Sequence, residues 1–175
     1  MKTIRHQITI ATTPEQLFDL TQDYHRRLEW DPYLIAAQLL NGAENAGMGV
    51  EALCKNRVGS AMITRYISFD RPRVAAVTMT KGPLVLKKFS GAWNIRYVSD
   101  GVSMLIFTYN FELKGGILGR LLLPFASAYF SAEMKKRLLA LKTYIEAKEQ
   151  NIPDLAIDKT IARPGGNIWQ GLDER

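Results

Sequence analysis

Residues Ile4 to Ala11 alternate apolar and polar side chains, with Ile4, His6, Ile8 and Ile10 set against Arg5, Gln7 and Thr9. That period of two predicts a half-buried strand. Thr12-Thr13-Pro14-Glu15 follows, offering hydroxyl caps, a proline suited to the first helical position and an acid for the first turn. A short helix is predicted from there to about Asp23, burying Leu17, Phe18, Leu20 and Thr21. Tyr24 to Tyr33 is too polar for a strand and is stopped by Pro32, so it predicts a second short helix ending in a turn. Between Ile35 and Lys114 about six β-rich runs are separated by Asn41-Gly42, Gly47 and Gly49, Gly59, Asp70-Arg71-Pro72, Lys81-Gly82-Pro83 and Asp100-Gly101. Turns this short join antiparallel neighbours, because a parallel crossover needs a dozen or more residues. After Gly115-Gly116 the spacing becomes helical through Leu123, Phe130, Met134, Leu138, Leu141 and Ile145, and one long helix is predicted from Leu121 to about Lys148. Pro124 is expected in its first turn, which makes 117–122 a separate turn or kinked lead-in. Glu133, Lys135, Lys136, Arg137, Lys142, Glu146 and Lys148 are assigned to its polar side. Residues 150–175 carry no sustained period, and they are expected to form an irregular tail, docked through Trp169, behind a single domain of residues 1–149.

A chain of 175 residues, 47% hydrophobic and 23% charged, has the size and composition of one globular domain with its own core. Cys54 is the sole cysteine, which excludes a disulfide framework and fits a reducing compartment. No apolar signal core follows the first residues, so a cytoplasmic location is expected. The most apolar stretch, Ile117 to Phe130, is interrupted by Arg120 and Pro124 and is too short to span a bilayer. The net charge of +6 is dispersed, and no nucleic-acid partner is expected. The Lys87-Lys88 and Lys135-Lys136-Arg137 clusters leave peripheral membrane contact open, and a homodimer stays open as well.

The order of these elements, together with Ile8-Thr9-Ile10-Ala11-Thr12-Thr13-Pro14-Glu15-Gln16-Leu17-Phe18 and Arg27-Leu28-Glu29-Trp30-Asp31-Pro32, resembles the START/Bet v 1-like (SRPBCC) superfamily. Within it the chain is similar to the polyketide cyclase/dehydrase-like group. The resemblance implies an α+β helix-grip fold: a curved antiparallel sheet of six to seven strands, two short helices after strand one, and a long C-terminal helix packed across the sheet over an apolar cavity. It implies no single reaction, since members include lipid and sterol carriers, polyketide aromatase/cyclases, quinone-binding proteins and co-chaperones.

Alternation identifies the residues that would face such a cavity. Arg65 marks one face as wet and turns Met62, Thr64 and Tyr66 inward. Glu51, Lys55 and Arg57 likewise leave Val50, Ala52, Cys54 and Asn56 inside. The two long strands contribute Phe89, Trp93, Ile95 and Tyr97, and Leu105, Phe107, Tyr109, Phe111 and Leu113. Trp30, Tyr33 and Met79 are also counted among the ligand-binding candidates, and Phe125, Tyr129, Phe130, Met134 and Leu138 are expected to face the sheet from the helix. An aromatic stripe of this kind is more often packing than pocket. A helix lying across a curved sheet leaves a gap, however, and the helix-grip resemblance favours a ligand-sized cavity with Tyr66, Tyr97 and Tyr109 as polar handles.

Catalytic chemistry is thinly signposted. His6 and His25 are the only histidines and no ligand spacing joins them, so neither a metal nor a cofactor is expected. Asp31 either bonds turn amides or serves as a base at the cavity mouth. His25 is either a proton relay or an exposed helix residue. With Tyr66 and Tyr109 these are the candidates for proton transfer, and Cys54 reads as a small buried hydrophobe. Three functions stay open: a carrier or binding module for a lipid, isoprenoid or polyketide-like molecule, a cyclase/aromatase-type enzyme, and a filled-core protein whose tail contacts a partner.

Overall fold

The computed structural model describes residues 1–150, with side chains to residue 148, in the order β1 (Lys2–Ile10), α1 (Pro14–Gln22), α2 (Arg27–Trp30), β2 (Leu34–Leu39), β3 (Glu51–Asn56), β4 (Ala61–Asp70), β5 (Val74–Lys81), β6 (Leu86–Ser99), β7 (Val102–Leu113) and α3 (Gly116–Gln150). The expected tail and Trp169 lie outside the described residues. The six predicted strands of the meander and the opening strand form one seven-stranded antiparallel sheet of order β1-β7-β6-β5-β4-β3-β2. β1 pairs with the last strand, Ile4 opposite Tyr109 and Ile8 opposite Leu105. The sequence neighbours β1 and β2 therefore occupy opposite edges, and the segment carrying α1 and α2 crosses the width of the sheet.

Local chemistry fixes the joints. Thr13 caps α1 by accepting from the Gln16 amide at 3.3 Å, while the Gln16 side chain accepts from the Thr13 amide at 3.4 Å. This is a reciprocal capping box with proline behind it. The β7–α3 joint depends on two adjacent glycines in the left-handed region, Gly115 at φ 95° and Gly116 at φ 55°. One turn later a Cβ at Gly119 would lie 2.3 Å from the Lys114 carbonyl oxygen, so only glycine lets the helix start so close to the strand.

α3 differs from expectation at both its start and its facing. It runs unbroken from Gly116 through Pro124, so the 117–122 lead-in is helix. A proline here removes one bond, to the Arg120 carbonyl, and Arg120 is exposed, where water can satisfy the freed oxygen. The stripe Met134, Leu138, Leu141 and Ile145 is buried in one cluster with Ile4, Ile10, Leu17, Phe18, Leu105 and Phe107. Lys142 donates to the Thr9 carbonyl at 2.8 Å and His6 meets the Ser131 hydroxyl at 2.7 Å, tying α3 to β1. Arg137, assigned by its charge to the polar side, is buried on the inner side between Met134 and Leu141.

Candidate functional site

A cavity of about 410 Å³ separates the concave face of the sheet from α3. That volume lies within the range of small-molecule sites. Tyr33, Met62, Tyr66, Phe89 and Trp93 line it, as do Phe107, Tyr109, Tyr129 and Phe130. Trp93 stacks on Phe107 with ring centres 3.6 Å apart and planes at 9°. Trp30 meets Trp93 edge-on at 6.3 Å, and Phe89 lies 4.8 Å from Tyr109. Gly91 interrupts the large side chains of the inner row of β6, between Phe89 and Trp93, and a Cβ there would press against the Tyr109 ring at 3.3 Å. The missing side chain at position 91 is part of what keeps the space open. Exposed Val58 and Val85 stand at the rim, and buried Arg27 and Arg137 at the inner end.

That inner end is an ionic cluster. Asp31 Oδ2 accepts from Arg27 Nε at 2.9 Å, and from Arg137 Nη2 at 2.7 Å and Nε at 3.2 Å. Its Oδ1 accepts the Tyr33 amide at 3.2 Å. Arg27 also donates to the Thr21 carbonyl at 2.7 Å, and Arg137 Nη1 donates to the Tyr109 hydroxyl. Burial pushes the Asp31 carboxyl up, but the combined charge and hydrogen bonds of Arg137 and Arg27 outweigh it and hold the carboxyl below its usual range. Burial works against the Arg137 charge, and Asp31 more than restores it. Burial pushes the Tyr109 phenol up to about 12, even against the neighbouring Arg137 charge.

A second polar group lies on another wall. Tyr66 donates to Gln22 Oε1 at 2.8 Å and its oxygen lies 3.5 Å from that of Tyr24, while Asn56 donates to the Tyr33 hydroxyl at 3.0 Å. Burial raises the Tyr24 phenol well above its ordinary value, and it raises Tyr66 and the Cys54 thiol as well. Among the described residues no group of three or more histidine, cysteine or acidic side chains converges as a metal site would require.

The structure separates several expected site residues from the cavity. Tyr97 is 62% exposed near the end of β6 and its hydroxyl bonds Asp100, at the β6–β7 turn, at 2.7 Å. Phe125 is 75% exposed on the outer side of α3. Phe111 is fully buried and packs edge-on against Phe130, Trp30 packs behind Trp93, and Met79 packs against the core; none of the three lines the cavity. His25 is exposed, with its amide bonded to Asp23. Asp31 is neither at the mouth nor free: besides the Tyr33 turn amide it binds two guanidiniums. Arg27 and Arg137 were the residues that charge alone concealed. Two spacings held the signal, the i,i+4 relation of Arg27 to Asp31 and the helical phase of Arg137 between Met134 and Leu141.

Residues 1–146 match the family described as polyketide cyclase/dehydrase and lipid transport, and the chain belongs to that family. Among solved structures it is similar to the Zhui aromatase/cyclase from Streptomyces sp. R1128, with a TM-score of 0.71 at 16% identity over 85% of this chain and 95% of that one. A START superfamily protein from Mycobacterium smegmatis aligns with a TM-score of 0.68 at 13% identity over 83% and 98% of the two chains. A point mutant of norcoclaurine synthase from Thalictrum flavum, in complex with a transition-state analogue, gives 0.63 at 12% over 85% and 96%. At these identities the likeness establishes the fold, the helix-grip arrangement of the START/Bet v 1 superfamily. No curated protein matches the chain in sequence. Among the described residues no helix is long and apolar enough to cross a membrane.

Proposed function

We propose that the protein binds a small hydrophobic molecule, lipid-, isoprenoid- or polyketide-like, in the cavity between sheet and α3, and acts in the cytoplasm as a carrier or binding module. Residues 1–149 form the binding unit in this reading, with 150–175 appended to it. The observation that carries it is the aromatic-walled space of about 410 Å³ inside an otherwise packed core. Burial of apolar ligand surface at about 25 cal/mol per Å² supplies the affinity. The state of Asp31 favours binding over acid–base work, since a carboxylate already engaged by two guanidiniums is a weak base. The test is native mass spectrometry of protein purified from its own host, paired with titration of the neutral apolar dye N-phenyl-1-naphthylamine. A stoichiometric apolar adduct, or saturable dye binding, is expected; a bare mass together with no dye binding overturns the reading.

One observation favours a second, enzymatic reading of the cyclase/aromatase type. Tyr109 lines the cavity, its hydroxyl accepts from Arg137, and its own O–H has no acceptor among the described residues. It is therefore placed to give a proton to a bound ligand. This reading requires pH-dependent turnover that Tyr109→Phe abolishes while ligand affinity is retained.

A further inference from the structure

The inner end of the cavity carries an imbalance of charge. The Arg27 and Arg137 side chains are 7% and 6% exposed, yet both line the cavity. Among the described residues Asp31 is the sole acidic side chain within ion-pair distance of either. Two guanidiniums against one carboxylate leave one positive unit buried, and a buried unmatched charge is costly. Ring faces offset part of that cost: Arg27 lies 4.7 Å from the Trp30 ring centre, and Arg137 lies 5.2 Å from that of Phe107.

Donor count points the same way. Each guanidinium carries five N–H groups, and a buried donor needs an acceptor. Arg27 donates to Asp31 and Thr21, and Arg137 donates twice to Asp31 and once to Tyr109. Half of the donors of the pair therefore have no protein acceptor among the described residues, and the rest of the cavity wall is mainly apolar.

Resting on the cavity-binding reading, we infer that the ligand is an amphipathic monoanion, an apolar body ending in a carboxylate or an equivalent oxyanion that seats against Arg27 and Arg137. One negative charge neutralises the cluster, and its oxygens supply acceptors for the free donors. A neutral apolar molecule of the same shape would fill the walls and leave that charge unmatched.

Matched probes test this on the wild-type chain, with intrinsic tryptophan fluorescence and calorimetry as readouts. Dodecanoate is compared with dodecan-1-ol, and 2-naphthoate with 2-naphthalenemethanol, at pH 7.5. The acid of at least one pair is expected to bind ten times or more tighter than its alcohol, and dodecylammonium not at all. The preference is expected to shrink to about threefold or less in Arg27→Met, which leaves Arg137 and Asp31 as a neutral pair; a tenfold preference kept in that variant would count against the inference. Acids and alcohols binding alike would overturn the anionic inference and leave the cavity reading standing. Failure of every probe, N-phenyl-1-naphthylamine included, together with a bare native mass, overturns both. Should Arg27→Met fail to fold, the wild-type acid-to-alcohol ratios decide by themselves.

Discussion

Asp31, at the end of α2, and Arg137, on α3, are 106 positions apart in sequence and 2.7 Å apart in space. This bond fixes the crossing segment to the helix that covers the sheet, and it does so at the wall of the cavity. The same two residues hold the lid and set the polarity of the space beneath it.

Removing the carboxylate is expected to be far worse than removing one of its partners. Asp31→Asn leaves two buried guanidiniums facing each other, and a loss of about 3–5 kcal/mol is expected, the usual cost of breaking a buried pair. Arg27→Met leaves one neutral ion pair and is expected to cost less than half as much. Urea unfolding at pH 7 measures both; an Asp31→Asn variant within about 1 kcal/mol of wild type would contradict a structural role for the cluster.

Stability is expected to fall in acid through the same residue. The Asp31 carboxyl is held below its unfolded range, so the unfolded chain binds more protons in that interval and is favoured as pH drops. The contribution is complete above the unfolded value, about pH 4, and disappears as pH falls through the lower folded value. Exposed Asp19, lowered chiefly by its hydrogen bond from Arg71, adds a similar but screenable slope. In about 1 M salt, where the Debye length is near 3 Å, wild type should keep a steeper decline between pH 5 and pH 2 than Asp31→Asn. Parallel urea midpoints for the two would count against the assignment.

Filling position 91 should close the site without unfolding the protein. Gly91→Val adds a β-branched side chain that suits a strand, at the expense of a slight shift of the Tyr109 ring. Affinity for N-phenyl-1-naphthylamine is expected to drop at least tenfold while the urea midpoint moves by less than about 1.5 kcal/mol equivalent, the scale of a mild core adjustment. Unchanged affinity would place the ligand elsewhere.

Cys54 offers a reporter. Cys54 lines the cavity, and burial raises its thiol above the ordinary value, although both arginines pull the other way. Little thiolate exists at pH 7, so reaction with Ellman's reagent should be at least tenfold slower than for free cysteine, and slower again with ligand bound. A rate equal to that of free cysteine would mean that the thiol is neither shielded nor raised above its ordinary value.

Legibility in the sequence divides along physical lines. Strand phase could be read because charged residues marked the wet face: Arg65 fixed Met62 and Tyr66 as inward, and both line the cavity. Period alone does not say where a covering helix ends. Tyr97 shares the phase of Trp93 but is exposed near the end of β6, and Phe125 lies on the outer side of α3 between Leu123 and Ala126, which pack inward. The arginines were obscured for a different reason. A charge inside an apolar stripe is outvoted by the rule that charges face water, and Arg137 becomes intelligible only once Asp31, far away in sequence, is seen to meet it. The cavity itself depends partly on an absent side chain at Gly91, which alternation passes over as a gap.

The edge position of β1 has a consequence for synthesis. Residues 2–10 leave the ribosome before the other strands, yet their partner is β7, and the sheet is not complete until residue 113 has been made. Until α3 follows, the aromatic concave face has no cover, and pairings of such long sequence separation form slowly. A chain stalled before position 137 would present Trp93, Phe107 and Tyr109 to its neighbours with Asp31 lacking one of its two cationic partners. Aggregation of the newborn chain is therefore tied to the last thirty or so residues of the fold, so that the segment that roofs the cavity also ends the interval of greatest exposure.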